Sequence, residues 1–385
     1  MKSSKSGGRT ILLNAQSARS GGGQTYVINL LNYLPEEFPV KVFVLAPDSL
    51  SLPSDRQNIK RISVEWPVEN PVVRAIWERL CLPALLRKLD ADVLFCPGGI
   101  IGGSVPSDCK TVTMFRNMIP FSPLQQRRYR PGYMRLRNWL LKKEMLRSMV
   151  RADLVIFLSD YARTVIEQRA REKMKETVTI PHGISPSFRK PAGANPPRPA
   201  WLPPGNYFLY VSTLDHYKAQ LEVIQAYAML RKQRDTREKL LLVGPEYPEY
   251  GRKVRNQIKR LALENEVLIA GTVPYVDMPA VYQNAVLNIF ASECENCPNI
   301  LIEALAAGRP VFSSNCPPMP EFAGDAVVYF DPKLPEELAQ KLATVLADPA
   351  RMKDLAAKAL ERSRLYDWSV SAQATWQAIQ NLVDG

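Results

Sequence analysis

The segment Glu295-Asn-Cys-Pro298-Asn299-Ile-Leu-Ile-Glu303-Ala-Leu-Ala-Ala-Gly308 sets two carboxylates eight positions apart with a proline between them. Proline suits the first turn of a helix, where its missing N–H would have no partner anyway. The apolar run Ile300 to Ala307 continues as that helix, and Gly308 stops it. Glu295 is thus expected in the loop before the helix and Glu303 on it. A helix start also offers free backbone N–H groups and a positive dipole end, which suit a phosphate. Two carboxylates around an anion hole match a molecule with hydroxyls at both ends and phosphate in the middle. A nucleotide sugar has that layout.

The elements that position this segment follow from apolar spacing. Thr10–Asn14 predicts a buried first strand, Gly21 to Gly23 a turn, and Gln24–Leu34 a helix, which together make a Rossmann-like opening. The glycines lack the full G-x-G-x-x-G spacing, so a nicotinamide dehydrogenase is disfavoured. Short apolar runs at Val40–Leu45, Val93–Cys96, Thr111–Phe115, Leu154–Leu158 and Val178–Ile180 alternate with helical segments such as Val72–Leu89 and Arg135–Val150. The alternation predicts a parallel sheet covered by helices on both faces.

From residue 184 the character changes, and the proline-rich stretch 186–206 is expected to be a semi-rigid linker. A second alternating series begins at Tyr207–Val211, and Pro310–Ser313 follows the two-carboxylate segment as a strand. Helical stretches at 335–347 and 350–365 close that series, and a last amphipathic helix follows. The predicted organisation is an α/β chain with a Rossmann-like domain at 1–185, the linker, and a second Rossmann-like domain at 207–368. Residues 369–385 are expected to pack back on the first domain. Two such halves predict a cleft, with ligands at the C-terminal ends of the strands.

Composition narrows the class. The 385 residues are 46% hydrophobic and 23% charged, as in soluble globular proteins, and suggest about two domains. No apolar run approaches the ~20 residues that span a bilayer. The short polar start, Met1 to Thr10, has no apolar secretory core, which predicts a cytoplasmic protein. Cys294 and Cys297 form a C-x-x-C without a second pair, and the histidines are His182 and His216 alone, so neither a disulfide framework nor a zinc site is indicated. The net charge of +12 favours an anionic partner: phosphate-rich ligands, nucleic acid or a membrane surface.

Three stretches of the second half carry a resemblance. They are the Glu295–Glu303 segment with Ala304 and Gly308-Arg-Pro-Val, then Tyr210-Val-Ser-Thr-Leu-Asp-His-Tyr-Lys218, then Pro320-Glu-Phe-Ala-Gly-Asp with Phe330-Asp-Pro. In the first half Ala152-Asp-Leu-Val-Ile-Phe-Leu-Ser159 and Ile180-Pro-His-Gly183 add landmarks. Together they resemble the retaining glycosyltransferases of the group 1 family (family four), which have the GT-B fold of two Rossmann-like domains facing across a cleft. The resemblance implies transfer of a sugar from a nucleotide-diphosphate sugar to an acceptor hydroxyl, with retention of configuration and no metal or other cofactor. It implies that Glu303 holds the ribose hydroxyls, that Glu295 contacts the donor sugar, and that Lys218 meets the diphosphate leaving group. Ser212 and Thr213 would line the donor site, and backbone N–H groups at Asn299, Ile300 and Leu301 would face the diphosphate or sugar. Acceptors would be polysaccharide, glycolipid or lipid-linked glycan.

Two departures stand out. Many relatives carry an arginine where this chain has Thr213, so the second cation of the diphosphate clamp is missing or comes from elsewhere. Many also carry a His-Asp pair where this chain has Arg116-Asn117. Arg116 then meets phosphate or acceptor, or caps the strand end. Gly22 and Gly23 either approach a phosphate or acceptor or form only a tight turn.

Between Arg116 and Arg151 there are ten basic residues and one acid, Glu144, with Tyr129, Tyr133, Met134 and Trp139 interleaved. This composition predicts contact with an anionic membrane surface, on the inner face of the plasma membrane, at roughly 1 kcal/mol per basic residue. The alternative is a solvated helix face. No nucleic-acid recognition motif accompanies the cluster. Competing functions are a nucleotide-sugar epimerase or phosphorylase on the same architecture, and a basic binding protein for anionic lipid or nucleic acid.

Overall fold

The computed structural model describes residues 8–19, 21–128, 132–189 and 197–384. Most of the polar start, Tyr129 and Arg130 of the basic stretch, and 190–196 of the proline-rich stretch lie outside the described residues. The chain divides into two units, Met1–Gly183 with Trp368–Gly385, and Ile184–Asp367.

Seven strands build the first unit: β1 Arg9–Asn14, β2 Val40–Leu45, β3 Ile59–Ile62, β4 Val93–Cys96, β5 Lys110–Met114, β6 Leu154–Phe157 and β7 Thr177–Thr179. Their order is β3-β2-β1-β4-β5-β6-β7, and each pairing is parallel. Six strands build the second: β8 Tyr207–Val211, β9 Lys239–Val243, β10 Val267–Gly271, β11 Leu287–Phe290, β12 Val311–Ser314 and β13 Val328–Phe330. Their order is β10-β9-β8-β11-β12-β13, again all parallel. The central strands β4, β6 and β11 are buried at every position, as sheets covered on both faces require.

Both sheets reverse strand order once, at β1/β4 and at β8/β11. In parallel sheets such a reversal is where ligands commonly bind, at the loops that follow the carboxyl ends of the two reversing strands.

The predicted Val72–Leu89 helix is two helices, Pro71–Leu80 and Leu82–Leu89. Pro83 lies in the first turn of the second, where its missing N–H forbids one continuous helix. Strand β3 escaped the sequence reading because Ile59-Lys-Arg-Ile is a half-polar edge strand. The helix Trp368–Asp384 lies on the helix Gly22–Asn32, where Trp376 Nε1 donates to the Leu30 carbonyl at 2.8 Å.

The start of the expected linker is packed. Pro186–Phe188 forms a 3-10 turn, Phe188 is fully buried against the rings of Tyr275 and Tyr282, and Arg189 pairs with Asp367 at 3.1 Å.

Candidate functional site

In the second unit the site grows from the two strands at the order reversal. β8 runs into Ser212 and Thr213, then a single 3-10 turn, His216–Lys218. Asp215 caps that turn by accepting from the His216 N–H at 2.6 Å. Ala219 follows at φ 50°, a left-handed conformation that costs a non-glycine residue about 1 kcal/mol, and the helix Gln220–Gln233 begins. The neighbouring β11 runs into the loop that holds Glu295.

These two loops are tied together. The Glu293 N–H donates to the Tyr217 carbonyl at 2.8 Å. Lys218 Nζ donates to Glu295 Oε1 in an ion pair, with the lysine buried and its ammonium 4.8 Å from the Tyr217 ring centre and 5.7 Å from that of Phe290. The Tyr210 hydroxyl donates to the Lys218 carbonyl. Ser314 Oγ, at the end of β12, donates to the Ser292 carbonyl at 2.6 Å and supports the Glu295 loop from the other side.

Ser212 and Thr213 are held by Gln220, whose Nε2 donates to Ser212 Oγ at 2.8 Å and to the Thr213 carbonyl at 2.9 Å. Ser212 also abuts Gly244, where a Cβ would stand 2.2 Å from the Ser212 carbonyl oxygen. Nothing in the local sequence marks Gln220 or Gly244.

The helix of the carboxylate segment is Asn299–Ala306, one residue later than the proline predicted. Pro298 is its N-cap, at ψ 71°, and does not lie in the first turn. Gly308 takes φ 60° just past the end, as a helix stop requires. The helix start is less open than expected. The Asn299 N–H donates to the Cys297 carbonyl and the Leu301 N–H to that of Pro298, both at 2.9 Å, which leaves Ile300 as the member of the expected trio without such a bond described.

Glu303 is half-buried on this helix, and each oxygen accepts from a tyrosine: Tyr275 Oη at 3.2 Å and Tyr282 Oη at 3.1 Å. Burial pushes its carboxyl up to about 7, and the two hydroxyls oppose that rise. Burial also holds both tyrosines well above their usual value, so they remain donors. Sequence reasoning missed both. Each lies over twenty positions from Glu303, and only the packing of Phe188 against the two rings reveals the cluster.

In the first unit β1 ends at Asn14, and Gly21 at φ 58° leads into the helix that Gly22 and Gly23 open. A Cβ on Gly23 would lie 3.5 Å from Arg116 Nη1, so the glycine turn and Arg116 adjoin. The Arg116 guanidinium stands 5.8 Å from the Tyr26 ring centre. Asn117 is separate from this pair. Its Oδ1 accepts from the Ile119 N–H at 3.2 Å and so starts the next turn.

The sequence profile of the glycosyl transferases group 1 family matches residues 195–362, and that of glycosyltransferase family 4 matches 20–188. The chain is 26% identical over 249 residues to the O-antigen chain mannosyltransferase B of Escherichia coli, covering 63% of this chain. It spans 64%, under two thirds, of that relative's length. The sucrose-phosphate synthase of Thermosynechococcus elongatus superposes with a TM-score of 0.76 at 19% identity, over 97% of this chain and 99% of that one. HepE of Anabaena, solved with UDP-glucose, does so with a TM-score of 0.71 at 19% identity, over 97% and 99%. These likenesses identify the fold as GT-B.

Proposed function

The chain belongs to the glycosyltransferases of group 1, and on that premise we propose that it transfers a hexosyl group from a nucleotide-diphosphate sugar to an acceptor hydroxyl in polysaccharide, glycolipid or lipid-linked glycan biosynthesis, with retention of configuration. The observation that carries the proposal is the Lys218–Glu295 pair at the order reversal of the second sheet, with Glu303 one turn into the helix that follows. It supports the reading because one unit brings together a cation and two carboxylates, which we assign to the diphosphate, the donor sugar and the ribose.

In the proposed reaction the bond from the anomeric carbon to the diphosphate oxygen breaks, and a bond from that carbon to the acceptor oxygen forms. The acceptor proton passes to the departing phosphate, and a nucleoside diphosphate leaves. Lys218 stabilises the negative charge that develops on the leaving oxygen. Glu295 fixes the donor sugar through its hydroxyls, and Glu303 accepts from the ribose. The N–H of Ile300, with Ser212 and Thr213, is assigned to the diphosphate. Gly22, Gly23 and Arg116 are assigned to an anionic or hydroxyl group of the acceptor or donor.

HepE, named with UDP and with UDP-glucose in its solved structures, supports a nucleotide-sugar donor. The Escherichia coli relative, named as a mannosyltransferase of the O-antigen chain, makes mannose the first sugar to try.

The test incubates the protein with GDP-mannose, UDP-glucose, ADP-glucose and a dTDP-sugar, with and without glycan acceptors. Release of nucleoside diphosphate that rises with acceptor is expected, and the product's anomeric configuration by NMR reads retention. Turnover that requires inorganic phosphate would make the chain a phosphorylase. Conversion of the donor sugar without transfer would make it an epimerase.

A further inference from the structure

The helix Tyr133–Arg151 carries a face that the rest of its unit does not cover. Tyr133, Leu136, Leu140, Lys143, Arg147 and Arg151 follow one another at spacings of three and four, which puts them on one side of a helix. All six are exposed. The first three are apolar and the last three cationic. Trp139 adds to the apolar end, where exposures are 77% for Tyr133, 57% for Leu136, 57% for Trp139 and 47% for Leu140.

The cationic end continues across the surface. A groove of about 790 Å³ beside the helix is lined by Lys142, Lys143, Arg147, Arg151, Arg169 and Arg171, with Glu172 as its one acid. On the helix's other flank a second groove, about 920 Å³, is also lined by Arg147 and Arg151, together with Arg79 and two acids, Glu78 and Glu144. The helix is therefore a ridge between two grooves that share its arginines. Glu144, the acid on this helix, is already paired with Arg147 at 2.9 Å.

We propose that this ridge docks on an anionic lipid bilayer, with Tyr133, Leu136, Trp139 and Leu140 entering the boundary between headgroups and acyl chains and the first, more cationic groove taking lipid phosphates. Charge complementarity and the exposed side chains choose this occupant together. Nucleic acid would satisfy the cations, but its phosphate backbone has no use for two exposed leucines. Exposed apolar side chains beside a cationic cluster are what an interfacial helix requires. The docking surface lies outside the residues assigned to transfer.

The test is co-sedimentation of the full chain with vesicles of phosphatidylcholine alone, and of phosphatidylcholine and phosphatidylglycerol in equal parts. Binding to the second and not the first is expected, weakening as salt is raised. Neutralising Lys143, Arg147 and Arg151 to glutamine should weaken partition about fivefold per charge. Leu136→Ser with Leu140→Ser should abolish binding with an unchanged melting temperature, since both side chains are exposed. Trp139→Phe should remove the blue shift of tryptophan fluorescence on vesicle addition. Equal binding to both vesicle types, or full binding by the charge-neutral variant, would overturn the proposal. Polyuridylate binding that survives the double leucine variant, without vesicle binding by the parent, would assign the surface to nucleic acid instead.

Discussion

The ammonium of Lys218 and the carboxylate of Glu295 lie 77 positions apart in sequence and form an ion pair at the adjoining ends of β8 and β11. The lysine is buried, so its only way to serve a ligand is to share or exchange this partner. Glu295 compensates the cation, and a diphosphate bound as proposed would take over that task.

Replacing Lys218 with alanine removes the charge proposed to stabilise the leaving diphosphate and takes away the cation paired with Glu295. Transfer should slow by about 100- to 1,000-fold, the effect of deleting one stabilising donor at a developing anion. Lys218→Arg should rescue little, because a planar fork does not fit the space of a compact ammonium. The measurements are steady-state release of nucleoside diphosphate and urea unfolding. A double-mutant cycle with Glu295→Gln should show a coupling of about 0.5–3 kcal/mol. Additive effects would mean that the pair is not a unit.

Burial raises the Glu303 carboxyl to about 7, above the usual carboxylate value of 4.5. Between those values the native state holds a proton that the unfolded chain has released, so stability should fall as pH rises from about 4.5 to about 7. Ribose hydroxyls donate best to the ionised form, so nucleotide affinity should instead rise with pH between 6 and 8. Glu303→Gln should flatten both trends and weaken nucleotide binding. Calorimetric titration of UDP and GDP at several pH values reads the affinity, and denaturation at pH 5 and 8 reads the stability.

Tyr275 and Tyr282 oppose the rise at Glu303 by donating to it. Tyr282→Phe should therefore move the midpoint of the nucleotide-affinity profile to higher pH. An unmoved midpoint would mean that the tyrosine only packs against Phe188.

Gly23 separates a ligand-binding turn from a merely tight one. An added Cβ would meet Ala18 and Arg116 at 3.4 to 3.6 Å, which is ordinary contact, so Gly23→Ala should fold normally. Alanine in a helix should even raise stability, by up to about 1 kcal/mol. If Gly23 lets a phosphate or acceptor approach the backbone, the same variant should lose transfer activity while its melting temperature holds or rises. Unchanged activity would reduce the glycines to a turn.

Gly244→Ala should behave in the opposite way. Its Cβ would stand 2.2 Å from the Ser212 carbonyl oxygen, at a φ of 140° that side chains avoid. The loop carrying Thr213 and Lys218 must shift, and unfolding in urea should show a loss of about 3 kcal/mol or more, together with activity.

The sequence by itself determined the two alternating series, the glycine turn, and the carboxylates at a loop and on the following helix. Strands β2, β4 and β8 match their predicted bounds because period and apolar content are local properties. The same locality explains the errors at Pro83 and Pro298, where one proline decides a helix boundary by backbone geometry that composition does not register. Only the tertiary structure decided that β8 lies beside β11, and hence that Lys218 meets Glu295. It alone put Tyr275 and Tyr282 on Glu303, set Gly23 against Arg116, and left one face of the helix Tyr133–Arg151 uncovered. Those relationships depend on strand order and on what covers each surface, which many residues far apart in the chain fix together.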